Sequence, residues 1–226
     1  MSGHPSSSPH TGNSAILTVC TGNLCRSPVL ERLLAFGIAR HWPAAASGST
    51  GLRFASAGTR ALVGQSIPDP LLLRLAAAGA DSSPYAARQL TRELIADAGL
   101  VIVATRAHRA AVVELHPPAV RRTFTLRELS RLTVDVPPGD RAPLDPAARL
   151  GAFVAALAAS RGLSALVDPA DDDVIDPYLG PDSRYEEAWE QLRSGAAAML
   201  KALVPAPQVG RPQVEEPQAG LPARSA

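Results

Sequence analysis

The chain has 226 residues, of which 46% are hydrophobic and 19% charged, with a formal net charge of +1. That length suits one α/β domain with appendages, or at most two small domains, and allows a core of ordinary size. The near-neutral balance and an aromatic share of 4% argue against a nucleic-acid binder that relies on a basic face or on base stacking. No apolar run approaches the roughly 20 residues that a membrane span needs. Two cysteines, Cys20 and Cys25, cannot staple a secreted scaffold, which predicts a reducing, cytoplasmic setting. The opening MSGHPSSSPHTGNS has neither the basic start nor the apolar stretch of a secretion signal.

Residues 1–14 are rich in Ser, Pro, Gly and His and are expected to be disordered. Residues 15–19 (AILTV) form a short apolar run suited to a buried strand. Ser27 then offers an N-cap hydroxyl, Pro28 fits the first helical position, and Val29, Leu30, Leu33 and Leu34 make a helical stripe. A second strand is predicted at 52–56 with Gly58 in the turn after it, and a helix at 70–78 closed by Gly79. Thr91 caps a short helix that stops at Gly99, and 100–104 (LVIVA) is the clearest strand of the chain. A helix at 106–115 is stopped by Pro117 and Pro118, and a weak fourth strand is expected at 123–125. Residues 133–146 read as loop, 147–161 as an extra helix, and 168–177 as an acidic, Pro-containing loop. An amphipathic helix over 183–203, carrying Trp189, Leu192, Met199 and Leu200, closes the domain, and the Pro-punctuated tail 205–226 is expected to be disordered. Apolar strands separated by helices predict an α/β fold: a doubly wound four-stranded parallel sheet with helices on both faces, spanning 15–204.

The chemistry concentrates in the turn after the first strand, Cys20-Thr21-Gly22-Asn23-Leu24-Cys25-Arg26-Ser27-Pro28. A turn between a strand and a helix N-terminus aims successive backbone N–H groups into one concavity and adds positive potential, so it is expected to bind an anion of phosphate size. Gly22 is expected to supply unusual backbone dihedrals, and Asn23 tolerates the left-handed region while its side chain braces the turn. Arg26 offers a planar fork for two phosphate oxygens. The same field favours the anionic, nucleophilic form of Cys20, and Ser27 can donate a hydrogen bond to its sulfur. A thiolate, an anion cradle and an arginine together make a phosphate-cleaving nucleophile. Thr21, Gly22, Asn23, Leu24, Cys25 and Ser27 are therefore candidate phosphate-binding residues. No second Cys pair or closely spaced His pair follows, so neither a zinc site nor any other metal or cofactor is expected.

This stretch resembles the signature loop of the low-molecular-weight protein-tyrosine phosphatases, C-x-G-N-x-C-R-S-P, and meets every fixed position of it. The segments Phe54-Ala55-Ser56-Ala57-Gly58-Thr59, Pro68-Asp69-Pro70 and Ala87-Arg88-Gln89-Leu90 also resemble stretches of that family. The resemblance covers roughly 15–125 and 174–203. It implies a phosphomonoesterase in which Cys20 attacks phosphorus, Arg26 holds the equatorial oxygens, and an Asp-Pro dipeptide before the last helix protonates the leaving group. Asp176-Pro177-Tyr178 stands at that place, so Asp176 is the implied acid, with Asp171, Asp172 and Asp173 as alternatives. Tyr178 is the implied wall of the substrate cleft, and Ser56 is implied to brace the loop through Asn23. The implied partner is a phosphotyrosine-bearing protein, with no nucleic acid and no membrane; the oligomeric state is open. Cys25 lies close enough to Cys20 in the loop for a reversible, protective disulfide, or is a packing cysteine.

Leu24 resembles the tyrosine-directed members; phosphoarginine-directed relatives tend to carry Thr there, and phosphoarginine is the runner-up substrate. An arsenate reductase lacks its third cysteine here, and a phosphate-binding pseudo-phosphatase would be expected to lose Cys20, Arg26 or Asp176, all of which are present. The chain departs from the family in an insertion within about 133–173, read as a surface helix packed beside the sheet in preference to a lid or partner site. It departs also at Leu62, where many relatives place an aromatic, at Tyr85, where relatives often carry His, and at Thr105, which replaces a carboxylate. His108 and His116 are expected on the solvated face of one helix.

Overall fold

The computed structural model describes residues 13–46, 51–135, 145–161 and 168–205. A four-stranded, all-parallel sheet forms the centre, built from β1 (Ala15–Cys20), β2 (Arg53–Gly58), β3 (Ala98–Val103) and β4 (Thr123–Thr125) in the order β2-β1-β3-β4. The predicted disordered segments 1–14 and 205–226 fall almost wholly outside the described residues.

Alternation along the strands makes the sheet two-sided. Ile16, Cys20, Leu100, Ile102 and Phe124 point into the larger core, shared with helices α1 (Arg26–His41), α3 (Asp69–Ala77), α6 (Leu126–Asp135), α7 (Pro146–Ser160) and α8 (Asp182–Leu203). Leu17, Val19, Val101 and Val103 point into a smaller core with Ile95 of α4 (Arg92–Asp97) and Val112 of α5 (Arg106–Leu115). A short α2 (Pro43–Ala46), which the sequence reading did not anticipate, follows α1. Covering both faces explains why β1 and β3 are apolar nearly throughout. No helix among the described residues is long and apolar enough to cross a membrane.

Several expectations need correction. Ser27 is not an N-cap: α1 begins at Arg26 after Cys25, with no side-chain cap, because the Ser27 hydroxyl is turned to the Cys20 sulfur. Gly58 belongs to β2 rather than to the turn after it, paired with Cys20 across the sheet. The segment 133–146 is not all loop, since α6 runs to Asp135; residues 136–144 lie outside the described residues. The signal for α6 was in the sequence: Thr125 and Glu128 form a reciprocal cap, the Thr125 hydroxyl accepting from Glu128 N at 3.0 Å and the Glu128 carboxylate from Thr125 N at 3.3 Å. Leu126, Leu129 and Leu132 then bury one face.

The inserted α7 packs Leu150, Phe153 and Leu157 into the larger core. Arg161, just after α7, bonds both oxygens of Glu128 at 2.7 and 3.1 Å and stacks over Phe124 at 4.1 Å. Within the insertion α7 is thus a helix packed beside the sheet, while residues 136–144 and 162–167 on its flanks lie outside the described residues.

Strand order sets the location of the site. From β1 the chain goes to β2 on one side, and β3 lies on the other, so the carboxyl end of β1 is the point where the order reverses. Crevices of open α/β sheets form at such points.

Candidate active site

The turn between β1 and α1 lies at this crevice. It is wedged against residues 59–62, whose amides bond it directly: Thr59 N to Cys20 O at 2.9 Å, Arg60 N to Thr21 O at 3.0 Å and Leu62 N to Gly22 O at 3.0 Å. The approach is so close that a Cβ on Gly58 would lie 2.5 Å from Thr21 O. Gly22 does not supply the unusual dihedral that was expected of it. A Cβ there would meet nothing closer than 3.8 Å, and the left-handed residue is Asn23, at φ 58°.

Asn23 holds that conformation with its side chain. Its amide N–H donates to Ser27 Oγ at 2.9 Å, and its Oδ1 accepts from Arg88 N at 2.8 Å and from Tyr85 Oη at 2.6 Å. Ser56 therefore reaches Asn23 through Tyr85, at 2.8 Å, and donates to Glu31 Oε2 at 2.5 Å. Sequence reasoning named Ser56 and Asn23 but missed Tyr85 and Glu31 as members of this bracing group. Burial is the main cause that pushes the Tyr85 phenol up to about 12, so it stays protonated and donates.

Cys20, at the end of β1, has Ser27 Oγ 3.0 Å from its sulfur. Arg26 is buried; its Nη1 donates to Val174 O at 3.3 Å and its Nη2 to Asp176 Oδ2 at 2.6 Å and to Thr21 Oγ1 at 3.4 Å. Asp176 comes from the loop before α8, which is tied to the sheet by Val174 N to Ala104 O at 2.8 Å and to α8 by Ile175 N to Gln191 Oε1 at 3.0 Å.

The competing aspartates are engaged elsewhere. Asp172 pairs with Arg131 at 2.6 Å, Asp173 accepts from Arg106 N at 2.8 Å, and neither of them nor the exposed Asp171 lines the cavity. The other Asp-Pro pairs sit at helix starts: Asp69 opens α3, Asp145 caps α7 and Asp168 caps a 3₁₀ turn.

These residues enclose a cavity of about 260 Å³, lined by Cys20, Thr21, Gly22, Leu24, Cys25, Arg26, Arg60, Leu62, Asp176 and Tyr178. Of the sequence-predicted residues, Asn23 and Ser27 stand behind the lining as braces. The walls are apolar at Leu24 and Leu62, and Tyr178 is half-exposed at the mouth. Cys25 is a free, buried thiol pushed up to about 12, chiefly by burial and further by Cys20 and Asp176. The arrangement brings a sulfur, a buried guanidinium and a carboxyl group around one cavity.

His108 contradicts the expectation of a solvated histidine. It is buried in the first turn of α5, with Nδ1 2.7 Å from Thr105 Oγ1 and Nε2 2.8 Å from Thr21 Oγ1. The available signal was positional: β3 lies beside β1, so the first turn after β3 opens on the same crevice as the turn after β1.

Known proteins bear on this geometry. A family model described as low molecular weight phosphotyrosine protein phosphatase matches residues 15–137. The low molecular weight protein-tyrosine-phosphatase Ptp of Acinetobacter johnsonii is 33% identical over 111 residues, which are 49% of this chain and 70% of that protein. Wzb of Escherichia coli K12, named likewise, is 37% identical over 103 residues, 45% of this chain and 62% of its own. Among solved structures, the Erwinia amylovora tyrosine phosphatase AmsI superposes with a TM-score of 0.58 at 23% identity, covering 85% of this chain and 93% of its own. The YwlE arginine phosphatase from Geobacillus stearothermophilus does so at 0.57 and 24%, covering 83% and 90%. At those identities the two superpositions establish the shared fold, while the family match spans more than half of the chain together with its signature loop. The chain belongs to the low molecular weight phosphotyrosine protein phosphatase family.

Proposed function

We propose that the chain hydrolyses phosphotyrosine on proteins, with Cys20 as nucleophile, Arg26 as the phosphate-binding cation and Asp176 as the proton donor. The observation that carries this reading is the convergence of these three groups, from three separate elements, on one cavity.

In the first step the Cys20 sulfur attacks phosphorus in line, the S–P bond forms as the P–O bond to the substrate breaks, and Asp176 gives its proton to the departing phenolate oxygen. Backbone N–H groups of residues 21–26 and the Arg26 fork hold the equatorial oxygens, so that no metal is needed to neutralise them. Arg26 and Asp176 are hydrogen-bonded at 2.6 Å. A phosphate dianion competes for that guanidinium and frees the carboxyl group to face the leaving oxygen. In the second step Asp176, now a carboxylate, takes a proton from water as the water oxygen attacks phosphorus, and the sulfur leaves, received by the Ser27 hydroxyl.

Leu24, Leu62 and Tyr178 make a wall suited to an aromatic ring, which favours a phenolic ester over the guanidinium of phosphoarginine. Cys25 is assigned as the resolving thiol: a sulfenic acid on Cys20 condenses with it, releasing water and forming a disulfide. A protein-bound substrate of this kind and the unpaired thiols fit a cytoplasmic site of action.

The test is steady-state hydrolysis of p-nitrophenyl phosphate with EDTA present, by the wild type, Cys20→Ser and Asp176→Ala. Turnover is expected to be abolished by the first substitution and reduced about a hundredfold or more by the second. A phosphotyrosine peptide is expected to be hydrolysed well ahead of a phosphoarginine peptide; the reverse order would assign the runner-up substrate. No turnover from folded, reduced protein would overturn the assignment.

A further inference from the structure

Behind the cavity, the chemistry described above makes no use of His108, although it is only 7% exposed and both of its ring nitrogens are engaged. Both tautomers of the neutral ring fit these two hydroxyls, and with a phosphate oxygen in the cavity the one carrying its hydrogen on Nε2 gives every proton an acceptor. Thr105 Oγ1 already accepts the His108 backbone N–H at 3.3 Å, and among the described residues its own proton has no other acceptor than Nδ1. In that tautomer Thr105 donates to Nδ1 and the ring hydrogen lies on Nε2. Nε2–H then donates to Thr21 Oγ1 at 2.8 Å, and that oxygen also accepts from Arg26 Nη2 at 3.4 Å. With its lone pairs so occupied, the Thr21 hydroxyl proton is directed into the cavity that Thr21 lines.

We infer that His108 is a positioning residue for phosphate: it turns the Thr21 hydroxyl into a donor toward a substrate oxygen and steadies Arg26 beside it. The inference rests on the phosphate-binding reading of the cavity given above. Neutrality of the ring suits this role. Burial, and next the Arg26 charge, hold His108 down to about 4, Arg60 adding to the effect while Asp176 and Asp173 oppose it. A cationic ring would instead stand against Arg26, which the substrate needs.

The experiment measures the inhibition constant of inorganic phosphate, together with kcat and KM for p-nitrophenyl phosphate. The proteins are the wild type, His108→Phe, His108→Gln, Thr21→Val and the Thr21→Val/His108→Phe double variant, each checked by thermal melting. Loss of one hydrogen bond to a charged oxygen predicts that His108→Phe and Thr21→Val each raise the phosphate constant about tenfold. The double variant is expected to lose little more, because both substitutions remove the same donor. His108→Gln, whose amide N–H reaches where Nε2–H does, is expected to stay within about threefold of the wild type.

A His108→Phe protein that melts lower but binds phosphate as the wild type does would overturn the inference, as would a double variant whose loss is the product of the two singles. Should His108→Phe fail to fold, an unchanged constant in Thr21→Val would overturn it as well. Wild type that neither binds phosphate nor turns over would refute the phosphate-site reading along with it. Active wild type with unchanged His108 variants would refute only the role of His108.

Discussion

The burial of His108 has a consequence for stability that can be worked out and measured. In the unfolded chain an imidazole takes up a proton near 6.5, whereas in the folded protein burial and Arg26 hold this ring down to about 4. Between those values the unfolded state binds more protons, so stability must fall as the pH falls. The contribution is complete above 6.5 and is lost on descent through the window to the folded value. At about 1.4 kcal/mol per unit over a gap of roughly 2.5 units, less the half-titration at its lower end, the loss between pH 7 and pH 4 is about 3 kcal/mol. Urea unfolding of the wild type and of His108→Gln, followed from pH 7 to pH 4, isolates it, because carboxylates common to both proteins cancel in the difference. The stability of the wild type relative to the Gln variant is expected to decline by about 3 kcal/mol across that range. A difference that stays flat, or that moves in favour of the wild type as the pH drops, would refute the placement of a neutral imidazole between Thr21 and Thr105.

Other consequences follow from the same geometry. Because Cys25 is pushed up to about 12, it stays a thiol at pH 8, and iodoacetamide is expected to label Cys20 alone, with inorganic phosphate protecting it; equal labelling of both would contradict the assignment. Inactivation by hydrogen peroxide is expected to reverse with dithiothreitol in the wild type and to become largely irreversible in Cys25→Ser, whereas equal recovery would remove Cys25 as the resolving thiol. Tyr85→Phe takes the 2.6 Å donor from Asn23 Oδ1, which among the described residues keeps only Arg88 N, and is expected to lower kcat/KM about fivefold, at roughly 1 kcal/mol for one hydrogen bond. Gly58→Ala would set a Cβ 2.5 Å from Thr21 O; its melting temperature and its phosphate affinity should fall together, and an unaffected phosphate site would contradict the close packing of β2 on the signature turn.

What the sequence revealed and what it hid divide along physical lines. The signature turn is contiguous, so the order Cys20 to Pro28 carries its strand end, its left-handed corner and its helix start in nine adjacent residues. Strand identity was legible because β1 and β3 are covered on both faces and therefore apolar nearly throughout. His108, Tyr85 and Glu31 were not legible in the same way. His108 meets Thr21 across 87 residues and Tyr85 meets Asn23 across 62, so only the strand order brings them together. Isolated in the sequence, His108 reads with His116 as one of two histidines on a solvated helix, and nothing local to it marks the contact with Thr21. The start of α6 is hidden differently: its Thr-x-x-Glu cap is present in the sequence, but the helix is short and runs into the Pro-rich stretch that reads as loop from 133. Residues 136–144 and 162–167, the flanks of α7, lie outside the described residues.

The bracing groups also account for how a non-glycine residue comes to occupy the strained corner of this turn. A left-handed asparagine costs on the order of 1 kcal/mol, and Asn23 makes three side-chain hydrogen bonds, each worth about that much. A glycine at this corner would relieve the strain but make none of them, and the turn would then be free to relax away from Ser27 and the Cys20 sulfur. The corner is therefore set by what the side chain ties together. Its ties run to Ser27 on α1, to Tyr85 and to the Arg88 amide. Thr21 is held on the opposite side by His108 of α5 and by Arg26. The signature turn is thus fixed from both faces of the sheet, and neither set of fixings involves α7, whose partners are in the larger core. Substitutions on the outer face of α7 should consequently leave the phosphate site intact, while changes as distant in sequence as Tyr85 and His108 reach it directly.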